Sequence, residues 1–115
     1  MAMQLEASQH LLKQFMEHSP STTFVKDDCG RYVFYNANFA KFAGIDRTEW
    51  LGRSDDEVFP KEIAAKYKDQ DLRVMGTDQT LEFLDEARDF EGVLHRFRSI
   101  KFIYKDVGGR KLLAG

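Results

Sequence analysis

Cysteine is almost missing from this chain: Cys29 is the only one in 115 residues. No internal disulfide can form, and a reducing, cytoplasmic setting is the natural expectation. Proline is scarce too, with only Pro20 and Pro60, so no proline-rich linker divides the chain. No apolar run approaches the roughly 20 residues that span a bilayer, and no secretory signal is visible. This fragment is therefore expected to make no membrane contact. Neither sign of charge dominates, since 17 basic residues face 19 acidic ones for a net charge of −2. The basic residues are scattered, and the locally basic RFRSIK (96–101) is split between two faces if it forms a strand. Phosphate binding needs clustered Lys and Arg, so the expectation is no nucleic-acid partner. A nucleophile elbow, a phosphate loop and HExxH are all lacking, so none of these motifs marks the chain as an enzyme.

What is plentiful is aromatic side chains: ten Phe, four Tyr and one Trp. They must fill a core, a ligand pocket or a partner surface. The length suits one domain with its own core, without metal or disulfide support.

Residues 4–18 carry Leu5, Leu11, Leu12, Phe15 and Met16 at helical spacing. Leu5 and Leu12 lie seven apart, as do Ser8 and Phe15, so one apolar stripe runs along an amphipathic helix. That stripe packs on its own domain, forms a dimer seam through Leu5, Ser8, Leu11, Leu12 and Phe15, or does both. Ser19-Pro20 ends the helix, because proline pushes its predecessor out of helical geometry.

TTFVKD (22–27) and RYVFY (31–35) are β-branched and aromatic runs around Gly30, which predicts a hairpin. Asn36 is placed to cap a helix that Gly44 ends. Asp46 is expected to cap a second short helix containing Trp50 and Leu51. Ser54 and Glu57 form a capping box, and Asp55-Asp56-Glu57 suits a helix start better than a metal. Pro60 should open a long helix reaching Met75, with Gly76 as its stop. Strands are predicted over 79–88 and 92–105 around a turn at 89–92. KLLAG (111–115) starts a last strand that looks cut short. Strands at both ends of a helical middle give an α+β domain with helices on one sheet face.

YNANFAKFAG (35–44), GRSDDEVFPKEIAAKY (52–67), DLRVMGT (71–77) and SIKFIYKDVGGRKLLAG (99–115) together resemble segments of PAS domains. The subgroup they resemble serves as input to bacterial histidine kinases and diguanylate cyclases. The resemblance implies a five-stranded antiparallel sheet with short helices on one face. An N-terminal amphipathic helix over 1–19 would lie outside a PAS domain over 20–115. It further implies a non-catalytic sensory module of a two-component type protein, working as a homodimer and followed by an output domain in the same polypeptide.

PAS folds hold a cavity between sheet and helices, so cofactors are tested against the residues. Haem in relatives is held by a His on the long helix, and Pro60–Met75 contains none; His10, His18 and His95 lie elsewhere. LOV-type flavin needs a reactive Cys in an Asn-Cys-Arg motif, and Cys29 sits in the hairpin turn instead. No cofactor is predicted, and an unidentified small molecule is the remaining ligand. Its candidate pocket is Phe34, Asn38, Phe39, Phe42, Phe59, Tyr67, Met75, Phe83, Arg98 and Phe102, with Asn38 or Arg98 as polar fixers. The simpler account of those aromatics is a filled core. A flavin-type redox or light sensor, and a small α+β enzyme using His95 with Glu86 across the hairpin, are the alternatives.

Overall fold

The protein's structure, a computed structural model, describes residues 10, 11 and 13–115. Leu5, Ser8 and Leu12 lie outside the described residues. After a helical segment at 13–18 come β1 (Phe24–Lys26), β2 (Tyr32–Tyr35), α1 (Ala37–Ala43), α2 (Asp55–Val58) and α3 (Lys61–Thr77). Three strands close the chain: β3 (Leu81–Arg88), β4 (Leu94–Lys105) and β5 (Lys111–Ala114). They form one five-stranded sheet in the order β2-β1-β5-β4-β3, antiparallel at every junction. The strand that looked unfinished is the central one, bonded to β1 on one side and β4 on the other.

Local chemistry sets most boundaries. The Asn36 side chain accepts from the Phe39 amide at the start of α1, and Gly44 closes that helix at φ 71°. A Cβ on Gly44 would sit 2.5 Å from the Phe90 Cβ, so this glycine answers both backbone shape and space. The Ser54–Glu57 capping box opens α2. Pro60 is the N-cap of α3 rather than its first helical residue.

Two boundaries differ from expectation. Gly76 does not stop α3, because nothing crowds it and one exposed glycine costs a helix only about 1 kcal/mol. The stop is Asp78 in the left-handed region at φ 54°, held by Lys111 at 2.8 Å. Asp46 caps no helix either, since residues 47–52 form turns. The Tyr35 hydroxyl donates to the Asp46 carbonyl at 2.6 Å and accepts from the Trp50 amide at 3.2 Å, which bends the segment onto the core.

Side chains alternate across each strand, so the sheet has an inner face under the helices and an outer one. Phe24 and Lys26, two apart on β1, face inward together, and the register shift at Val25/Lys26, which leaves Val33 of β2 as the extra residue, brings both Tyr32 and Tyr35 inward with them. The inner face at β1–β2 carries a continuous aromatic cluster. Phe39 lies 5.3–6.1 Å from the rings of Tyr35, Tyr32, Trp50 and Phe24. Trp50 continues to Phe59 at 5.2 Å, and Phe59 to Tyr67 at 5.3 Å. Among the described residues no helix is long and apolar enough to cross a membrane.

Candidate functional site

Beside the aromatic cluster, the interface between α3 and the sheet is built from charge. Lys26 on β1 and Lys101 on β4 are 2% and 4% exposed, and both point at α3. Asp71 bridges them, with Oδ2 on the Lys26 Nζ at 2.8 Å and Oδ1 on the Lys101 Nζ at 2.9 Å. Lys26 also pairs with Asp55 at the start of α2, and the Tyr32 hydroxyl donates to the other oxygen of Asp55 at 2.7 Å. Gln70 extends the network, accepting from Lys101 at 2.9 Å and donating to Asp85 on β3 at 2.8 Å. Lys66 reaches Asp85 from outside at 3.1 Å. The α3 side of the network is thus Lys66 and Gln70, one turn apart on a shared helix face, with Asp71 beside Gln70.

Every acid in this set has an ammonium partner, and the two inner ammoniums also face rings. The Lys26 Nζ lies 5.1 Å from the Tyr32 centroid and the Lys101 Nζ 5.1 Å from that of Tyr67, within cation–π range. Burial and the nearby Asp55 carboxylate push the Tyr32 hydroxyl well above its ordinary range. Burial, with Asp85 and Asp55 nearby, moves Tyr67 up to about 12. Burial lowers Lys101 from its ordinary value, against the opposing pull of Asp71. Burial would raise Asp85, but hydrogen bonds from Gln70 and Lys66 outweigh it and hold the carboxyl below its ordinary value. Oδ2 of Asp85 has no hydrogen-bond partner. The neighbouring Ser99 hydroxyl adds to the hydrogen bonding that holds this carboxyl down.

Apolar side chains of similar size would fill such an interface at equal or lower free energy, because buried ion pairs seldom recover their desolvation cost. A network of this extent is therefore weak as a stability device. One cleft of about 200 Å³ opens onto it between the β1–β2 turn and α3. Lys26, Asp55 and Asp71 line the charged side of that cleft, and Ala64, Leu72, Met75 and Leu113 the apolar side.

The sequence profile of the PAS fold matches residues 16–114. The chain belongs to the PAS family. Solved structures agree on the fold. The VqmA dimer of Vibrio cholerae without its target DNA superposes with a TM-score of 0.78 at 24% identity, over 91% of this chain and 48% of that one. The VqmA–ligand–DNA complex matches with the same coverage and TM-score at 22% identity. The PAS domain of an HTR-like protein from Haloarcula marismortui gives 0.69 at 22% identity over 98% and 92%. That of BvgS from Bordetella pertussis gives 0.77 at 17% over 95% and 83%. This chain spans about half of the VqmA chains. No curated protein matches the sequence.

One expectation is overturned by these likenesses. The scattered surface charge was read as excluding a nucleic-acid partner, yet this PAS fold occurs in VqmA, solved as a complex with DNA. Charge on a sensory domain does not report on what the rest of its polypeptide holds.

The PAS domain brings together only part of the predicted pocket set. Phe39, Phe59 and Tyr67 join the aromatic cluster, and Phe42 packs on Phe97 at 5.3 Å and His95 at 5.0 Å. Phe83 faces the Lys101 ammonium at 5.9 Å, and Met75 lines the cleft. Phe34, Arg98 and Phe102 are on the wrong face. Phe34 pairs with Val25 and Phe102 with Ala114, in the outward phase, and Phe102 is 40% exposed. Arg98 lies outside with Glu82 at 2.6 Å. Asn38 donates to the Pro20 carbonyl and holds the linker. His95 pairs in register with Ala87 rather than Glu86, and its ring meets Asp89 at 2.9 Å. Of the dimer-seam residues, Leu11 and Phe15 are 70% and 76% exposed.

Sequence reasoning missed Lys26, Asp55, Gln70, Asp71, Asp85 and Lys101. A signal existed: Lys26 and Lys101 share strand phase with Phe24 and Phe97. Helix capping explains Ser54 and Glu57 but not the Asp55 carboxylate, which is only 7% exposed.

Proposed function

We propose that this chain is the sensory module of a larger signal-transduction protein, in which a small polar ligand enters the α3 cleft and resets the buried charge network. The observation that carries the reading is that network itself, joining four strands and two helices through groups expensive to bury, of which Lys26, Asp55 and Asp71 line one cleft. A ligand that supplies a donor or acceptor there exchanges partners with Asp55, Asp71 or Lys26 and moves α3 against the sheet. Ligand binding shifts the population of such an arrangement in proportion to its preference for one state. A cleft of about 200 Å³ is below the roughly 300–1,000 Å³ that holds drug-sized ligands, so a small metabolite is the fitting class. The pKa shifts keep Asp85 ionised and Tyr67 protonated at neutral pH, which suits binding and relay more than proton transfer.

The module works as a homodimer through its N-terminal helix, where Leu11 and Phe15 stand exposed. VqmA supports this reading, having been solved both as a dimer and with ligand and DNA. The output lies elsewhere in the polypeptide, and a DNA-binding segment is as compatible with this domain as a kinase or cyclase. Native mass spectrometry of the chain, before and after incubation with the small-molecule fraction of a cell extract, tests both parts. A dimer mass with a retained small molecule, lost in Asp71→Leu, is expected. A monomer at high concentration overturns the dimer, and no bound mass after incubation overturns the ligand.

A further inference from the structure

Asn36 has no solvent exposure, and its side chain spends its whole hydrogen-bonding capacity on four different backbone groups. Nδ2 donates to the carbonyls of Met16 and Ser21, both at 2.8 Å. Oδ1 accepts from the amides of Thr23 at 3.1 Å and Phe39 at 2.9 Å. One amide thus ties the last turn of the N-terminal helix, the linker after it and the first turn of α1. The same junction carries a mismatch: Thr23 Oγ1 is buried there without a partner, which undocking would hydrate. Docking of the N-terminal helix is therefore finely balanced, as a switchable element requires.

The junction also touches the charge network. Phe39, whose amide Asn36 holds, packs on Tyr32 with ring centroids 5.7 Å apart, and the Tyr32 hydroxyl is bonded to Asp55 at 2.7 Å. A change at Asp55 shifts Tyr32, then Phe39 and the cap of α1, and so the amide that holds Met16.

We propose that Asn36 is a latch, a positioning residue through which the state of the buried charge network sets the docking of the N-terminal helix. The proposal deepens the sensory reading and rests on it. Its test uses the ligand-free chain, so failure of the latch leaves ligand binding standing, and an absent ligand leaves the latch standing.

Hydrogen–deuterium exchange of the whole chain, read for residues 13–18, is the experiment. Asn36→Asp keeps the cap acceptor and removes both donors. Exchange at 13–18 should rise about tenfold, the scale of one net hydrogen bond, while β4 keeps its protection. Tyr32→Phe removes only the hydroxyl on Asp55 and should raise exchange at 13–18 severalfold, again sparing β4. In the double variant the two effects should fail to add, since one acts through the other. If Asn36→Asp does not fold, Asn36→Ser, a good cap without the long donor, takes its place. Unprotected exchange of 13–18 in the unmodified chain, or no rise in the Asn36 variant, overturns the latch. No rise in Tyr32→Phe, a rise of equal size in β4, or strict additivity overturns its link to the network.

Discussion

Asp71 holds two buried ammoniums at once, one on each oxygen, and the consequences of losing it are severe. Asp71→Leu leaves Lys101 with Gln70 as its remaining hydrogen-bond acceptor and Lys26 with Asp55 alone. Breaking a buried pair from one side costs about 3–5 kcal/mol, so urea unfolding should show a loss of that order. A loss below about 1 kcal/mol would mean that the network behaves as a solvated surface pair. The tyrosines give a second check. Burial pushes Tyr67 up to about 12 and holds Tyr32 well above its ordinary range, against about 10 in an unfolded chain. Between those values the unfolded chain has lost protons that the folded one keeps, so stability falls as pH rises from about 10 towards 12. Phenolate absorbance, read against Tyr32→Phe and Tyr67→Phe, should therefore show Tyr32 and Tyr67 silent at pH 10.5 and released on unfolding; their ionisation near pH 10 would contradict the burial of both.

The elements show which rules act locally. Asn36, the Ser54–Glu57 box and the Gly30 turn were legible because each depends on neighbours within a few residues. The missing helix after Asp46 and the late stop of α3 were not, since Tyr35 and Lys111 decide them from 11 and 33 residues away. Gly44 belongs to both classes: its position after α1 was readable, its contact with Phe90 was not. Gly44→Ala adds a left-handed strain of about 1–2 kcal/mol to a clash with the Phe90 side chain. Thermal denaturation should show a loss of at least that size, whereas Gly52→Ala, also at positive φ but with open space around it, should cost only the backbone part.

At the scale of the molecule, the helical segment ending at residue 18 joins the core at its C-terminal end through Asn36 while Leu11 and Phe15 face outward. Phe15→Asp should then weaken self-association in sedimentation experiments without lowering the melting temperature; a melting temperature that falls with it would place Phe15 in the protomer's own core. Composition and periodicity by themselves determined the α+β class, the five strands and the aromatic mass of the core, because hydrophobic alternation and turn chemistry are written in short windows of sequence, while the PAS resemblance rested on the order of particular local motifs. Tertiary structure alone decided that Lys26, Asp55, Asp71, Asp85 and Lys101 converge and that Phe34, Arg98 and Phe102 turn away. A lysine in a strand reads as solvated until the helix carrying its partner, tens of residues later, is laid across it, and one extra residue in β2, Val33, puts Tyr32 and Tyr35 on the same face against simple alternation.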